Sequence, residues 1–195
     1  MKTILRAMQK KKNEIPEDVL PIFEGIVQKY EEQLGPHLVG LRCFQPEWDD
    51  EFSKAIDEHL TEEQRFKLYE EVGGCNGAGA DKERRAFARE FAHLALEERM
   101  ELFSETFGRW KPVLNDDNTL TLTFKCSHGY YLRVKEGKYT TPPPNVKGYF
   151  ERCAGGRLYE LEKALGIKLK IKEVDISPLK ENVGSPVVFT FEIVS

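Results

Sequence analysis

Apolar residues recur at helical spacing through the first half of the chain and at alternating spacing through the last third. Val19, Ile22, Phe23, Ile26, Val27, Tyr30 and Leu34 fall on one helical stripe after Pro16, and Gly35-Pro36 stops it. Pro46 opens a second helix, with Trp48, Phe52, Ile56 and Leu60 on one side and Asp49, Asp50 and Glu51 in the dipole-favoured first turn. Thr61-Glu62-Glu63-Gln64 has the form of a capping box, and the helix it starts carries Phe66, Leu68, Tyr69 and Val72 up to Gly73-Gly74. After a glycine-rich loop around Cys75, a long helical stretch runs from about Asp81 to Phe107, with a break near Leu96.

Beyond Gly108 the period changes to two. Leu120, Leu122 and Phe124 alternate with threonines, as in a half-buried strand. Ser127-His128-Gly129 reads as a compact turn, and Tyr130, Leu132 and Val134 alternate in a returning strand. Pro142-Pro143-Pro144 is a stiff connector into a helix from about Val146 to Leu165, ended by Gly166. Ile167, Leu169 and Ile171 alternate with three lysines in a third strand, and Val187, Phe189, Phe191 and Ile193 form the last. The layout predicts an α+β protein, a single domain over 1–195. Its helical part over 1–110 packs on a four-stranded antiparallel sheet of β-β-α-β-β order over 119–195.

Composition narrows the function classes. The chain has 195 residues and a net charge of −4, with 29 basic and 33 acidic residues and no basic stretch of the kind a nucleic-acid binder presents. Lys10-Lys11-Lys12 is followed by Glu14, Glu17 and Asp18 and reads as a solvated helix end. Met1 to Lys12 lacks the apolar core of a secretory signal, and no apolar run approaches the ~18–20 residues that span a bilayer. A reducing cytoplasm is the expected setting, and the four widely spaced cysteines are expected to be thiols.

Three segments carry candidate chemistry. In Glu151-Arg152-Cys153-Ala154-Gly155-Gly156-Arg157, two glycines inside a helical pattern each cost roughly 1 kcal/mol relative to alanine. Close packing on the sheet, a ligand against the backbone, or a helix starting here with Cys153 in its first turn would each account for them. The last would lower the thiol pKa and make Cys153 a nucleophile. Cys153 also shares a stripe with Val146, Phe150, Leu161 and Leu165, which reads as a small buried thiol. Cys126-Ser127-His128 could place two metal ligands on one turn. Zinc needs more, so Cys126, His128 and Cys153 form the set to consider, with no metal favoured. The loop around Cys75 lacks the GK[ST] ending of a phosphate loop and is expected to be at most a mobile lid.

The stretch from Cys153 through Gly155-Gly156-Arg157 to Ile167, then Ile171 to Lys180 and Val188 to Ile193, resembles two related groups. These are the 4-vinyl-reductase-like small-molecule-binding domains and the L-2-amino-thiazoline-4-carboxylic acid hydrolase-like proteins. Both are similar in fold to trafficking-complex subunits. The resemblance covers about Leu120 to Val194 and implies functional cysteines at Cys126 and Cys153. Relatives commonly carry a third cysteine before the last strand, where this chain has Gly184-Ser185-Pro186-Val187-Val188-Phe189.

The expectation is therefore a small-molecule-binding protein, a sensor or carrier. Its pocket would be lined by Cys126, His128, Tyr130, Arg152, Cys153, Gly155, Gly156 and Arg157, with the two arginines suited to an anionic ligand. A hydrolase using Cys153 on a small heterocyclic or amino-acid-derived substrate, and a protein–protein module, are the alternatives. A homodimer fits any of them. Neither nucleic acid nor a membrane is an expected partner.

Overall fold

The computed structural model describes residues 1–36, 46–72, 78–108, 110–127 and 129–194. Before the sheet come helices α1 (Lys2–Lys10), α2 (Val19–Leu34), α3 (Pro46–His59), α4 (Glu62–Val72), α5 (Ala78–Glu90) and α6 (Leu96–Phe107). The capping box that starts α4 is formed in both directions. Thr61 N–H donates to Gln64 Oε1 (2.9 Å), and Gln64 N–H donates to Thr61 Oγ1 (3.3 Å). The long stretch to Phe107 is two helices. Phe91 to Ala95 form the break, and Glu98 restarts the helix by accepting the Ala95 N–H at 3.0 Å. Gly108 closes α6 in the left-handed conformation at φ 62°, which glycine adopts without a Cβ penalty.

Strands β1 (Pro112–Leu114) and β2 (Thr119–Phe124) form a hairpin. Helices α7 (Tyr130–Lys135) and α8 (Val146–Leu165) follow, then β3 (Lys168–Asp175), the short α9 (Pro178–Glu181) and β4 (Val187–Val194). The four strands make one antiparallel sheet in the order β1-β2-β4-β3. Its inner face is set by the β2–β4 register, which pairs Leu120 with Phe191, Leu122 with Phe189 and Phe124 with Val187, all buried. Edge strand β3 turns Lys168, Lys170 and Lys172 to solvent, which discourages edge pairing.

Two strand expectations change. Tyr130 to Lys135 is a helix, not a returning strand. Tyr130 and Tyr131 are both buried while Leu132 is 41% exposed, and a strand would send the adjacent tyrosines to opposite faces. The partner of β2 is instead the three-residue β1, too short for alternation to show. The early helices also do not simply lie on the sheet. Helix α8 covers the inner face against β3 and β4, and α4 and α5 pack mainly on α8, with α4 also reaching β3 and α6 reaching β1. No helix among the described residues is long and apolar enough to cross a membrane.

Because α8 is covered on both sides, its glycines are packing positions. A Cβ on Gly155 would lie 2.7 Å from the Tyr69 carbonyl carbon and 2.9 Å from Tyr69 Cβ. The α4 and α8 backbones touch there, so close packing is the reason for this glycine. The same enclosure buries charges. Glu151 is fully buried and takes a two-pronged bond from Arg65 on α4, at 2.6 and 2.9 Å.

Candidate functional site

The N-terminal half of α8 brings several of the expected residues together. Gly129, at φ 56° and ψ −121°, turns the chain into α7 in a conformation open to glycine, and the Tyr149 hydroxyl stands where its Cβ would be. The Tyr149 hydroxyl accepts the Tyr130 N–H at 3.3 Å and is also hydrogen-bonded to the Cys153 side chain. Burial holds the Tyr149 phenol well above its usual pKa, and the thiols of Cys153 and Cys126 push the same way. Burial likewise raises Tyr131, followed by Tyr130, with Cys153 and Cys126 as smaller contributors. Cys153 and Cys126 therefore lie near enough to bear on one tyrosine cluster, and both are half-buried thiols. The Tyr131 hydroxyl ties the cluster to the sheet by reaching the carbonyls of Phe124 (3.3 Å) and Ser185 (2.8 Å).

Tyr130 is the centre of this cluster. Its ring lies 5.2 Å from Tyr131, 5.2 Å from Phe150, 5.6 Å from Tyr139 and 6.2 Å from Tyr149. The residue is 2% exposed, and its hydroxyl is buried with no hydrogen-bond partner among the described residues. It lines a cleft with Tyr139, Pro143, Asn145, Val146 and Tyr149 whose volume of about 10 Å³ holds roughly one water. Burial, then the neighbouring Tyr139, raises the Tyr130 pKa, so the group is a neutral phenol and a hydrogen-bond donor.

The other expected site residues go elsewhere. Arg157 is 6% exposed and bonds Glu160 at 2.8 Å. Its guanidinium carbon sits 5.3 Å from the Trp110 ring and 5.7 Å from the Phe124 ring. Phe124 stacks on Trp110 and Phe189 and meets Phe150 edge-on, so a wall of rings stands between Arg157 and Tyr130. Arg152 and Arg157 are five residues apart on α8, about 140° round the helix, so the two arginines do not form one clamp. Gly155 is filled by Tyr69, and Gly156 is buried. His128 and the glycine loop around Cys75 lie outside the described residues.

Cys153 sits in the interior of α8, so the helix N-terminus is not there to activate it. Among the described residues, no group of three His, Cys, Asp or Glu side chains is placed to hold a metal.

Sequence reasoning missed Tyr139, Tyr149 and Trp110. Tyr149 carried a usable signal, since it lies four residues before Cys153 on the same helical face. It also missed the carboxylate pair Asp57 and Glu151, both facing Arg65 at 3.8 and 2.6 Å. Desolvation, opposed by Arg65 and aided by Glu151, pushes Asp57 up to about 6. No protein-family model, curated protein or solved structure matches this chain, and the site is read from its own geometry.

Proposed function

We propose that this protein binds a small molecule without covalent chemistry, in the tyrosine-lined cleft at the junction of α7 and α8. The observation that carries the reading is the Tyr130 hydroxyl, buried and unpartnered beside that cleft. A buried unmet donor costs about 1–3 kcal/mol, and a ligand acceptor offsets that cost. The lining is three tyrosine rings, Pro143, Val146 and Asn145, with the Tyr130 hydroxyl as its unmet neutral donor, which suits a flat, uncharged group bearing a carbonyl or similar acceptor. The cleft's present size means that its rim, Tyr139 and Pro143, must move apart to admit such a group. The resemblance of the C-terminal half to 4-vinyl-reductase-like binding domains points the same way.

The alternative of a cysteine-dependent hydrolase has less support. The side chain hydrogen-bonded to Cys153 is the Tyr149 phenol, whose raised pKa makes it a poor base.

Titration with benzamide, followed residue by residue by NMR, tests the reading. Shifts centred on Tyr130, Val146 and Tyr149 are expected, with binding about tenfold weaker in Tyr130→Phe, the effect of one neutral hydrogen bond. Equal affinity in the variant, or shifts confined to another surface, would count against it.

A further inference from the structure

Across the ring wall from Tyr130, two more buried donors lack an acceptor. Arg157 Nε and Trp110 Nε1 are both buried without a hydrogen-bond partner among the described residues. They are neighbours, because the Arg157 guanidinium lies over the Trp110 ring at 5.3 Å. Each of these two atoms can only donate. The guanidinium's recorded acceptor is Glu160 Oε2 at 2.8 Å, while Glu160 Oε1 is taken by Arg84 at 2.7 Å.

From this pair we infer a second site, separate from the Tyr130 cleft: Trp110 and Arg157 together bind a carboxylate group of a small molecule. One carboxylate oxygen accepts from Arg157 Nε–H and the other from Trp110 Nε1–H.

Three physical points select a carboxylate. Water between two donors would have to aim its own hydrogens at acceptors, and the groups around the guanidinium are the faces of Trp110 and Phe124 and the Glu160 carboxylate, whose two oxygens already accept from Arg157 and Arg84. A carboxylate only accepts, and it gains the guanidinium charge as well. A phosphate would match the donors too, but its second charge is costly to desolvate against these rings. Access is from the Trp110 side. That residue is only part-buried and lies in the short connector between α6 and β1, whereas Arg157 is held on the buried face of α8.

The test uses Trp110 as its own reporter. The chain has two tryptophans, so Trp48→Phe leaves a single indole N–H resonance. Titration with acetate at constant ionic strength should move that resonance downfield and saturate, and equimolar acetamide should not. Arg157→Lys keeps the charge and removes the Nε donor, and should weaken acetate at least about tenfold, the loss of a charge-assisted bond. Trp110→Phe keeps a stacked ring and removes only the N–H; it should weaken acetate heat by calorimetry while the fold, read from the remaining amide spectrum, stays intact. No saturable shift with acetate overturns the inference, as does an equal shift with acetamide or an unchanged acetate affinity in Arg157→Lys. The Tyr130 titration with benzamide has a different reporter, so either site can fail without the other.

Discussion

Tyr130 joins near-complete burial to an unmet hydroxyl, a combination that costs stability in the empty protein. Tyr130→Phe should therefore raise the unliganded protein's stability by about 1 kcal/mol in urea unfolding while weakening benzamide binding about tenfold. A loss of stability would mean that the hydroxyl has a protein partner. Gly155 predicts the opposite sign to its helix propensity. Alanine favours a helix by about 1 kcal/mol, but at this position its methyl meets the Tyr69 backbone, which cannot swing aside. Gly155→Ala should destabilise by about 1–3 kcal/mol, the range for overpacking, and a stabilised variant would contradict the α4–α8 contact. Asp57 supplies a pH dependence. Its pKa is raised from the ordinary 3.8 to about 6, so the folded state holds that proton more tightly than the unfolded chain does. Its contribution to stability is complete below 3.8 and is lost as pH rises through about 6. Asp57→Asn should melt higher than the parent at pH 8, with the difference shrinking toward pH 4. A pH-independent difference would contradict the shift. Of these three residues, only Tyr130 and Gly155 were singled out by the sequence. Asp57 owes its raised pKa first to burial, which Arg65 opposes and Glu151 reinforces, and Glu151 comes from a distant part of the chain.

Helix α8 is the element that organises the molecule, and its buried charges are its most exacting feature. Glu151 is fully buried against Arg65, and Glu160 is shared by Arg84 and Arg157. Breaking such a pair strands a charge, so Glu151→Ala or Arg65→Ala alone should cost about 3–5 kcal/mol. The double replacement Arg65→Met with Glu151→Met should recover most of the loss, as chemical unfolding would show. Sequence periodicity found α8, β2, β3 and β4 because each is long enough to show its period. It misread α7, where Tyr130, Leu132 and Val134 alternate over only six residues. The same six residues also put Tyr130, Tyr131 and Val134 on one helical face, and the Gly129 turn with its Tyr149 packing decides between the two. It missed β1 because three residues beginning with proline carry no pattern. The charge pairs of α8 were invisible for a different reason, since Arg65 and Glu151 are 86 positions apart.

At the scale of the whole molecule, α8 packs on the sheet and on α4 and α5, and both candidate sites are built on residues of α8. The mixed helix-and-sheet class was legible from the change of period near Gly108, as were three of the sheet's four strands. That α8 would be covered twice was not legible, because a helix with buried charges reads as one with a wet face. The site was half legible. Cys126, Tyr130 and Cys153 do meet one tyrosine cluster, whereas Arg152 and Arg157 separate onto different sides of α8. This division shifts the interest from thiol chemistry to recognition, with Tyr130 as the anchor. Native mass spectrometry puts that claim to the test, comparing the purified protein and Tyr130→Phe after incubation with a deproteinised cell extract. The account predicts a small non-covalent adduct on the parent protein that Tyr130→Phe loses or carries much more weakly. Bare protein mass in both, or the same adduct on both, would contradict it.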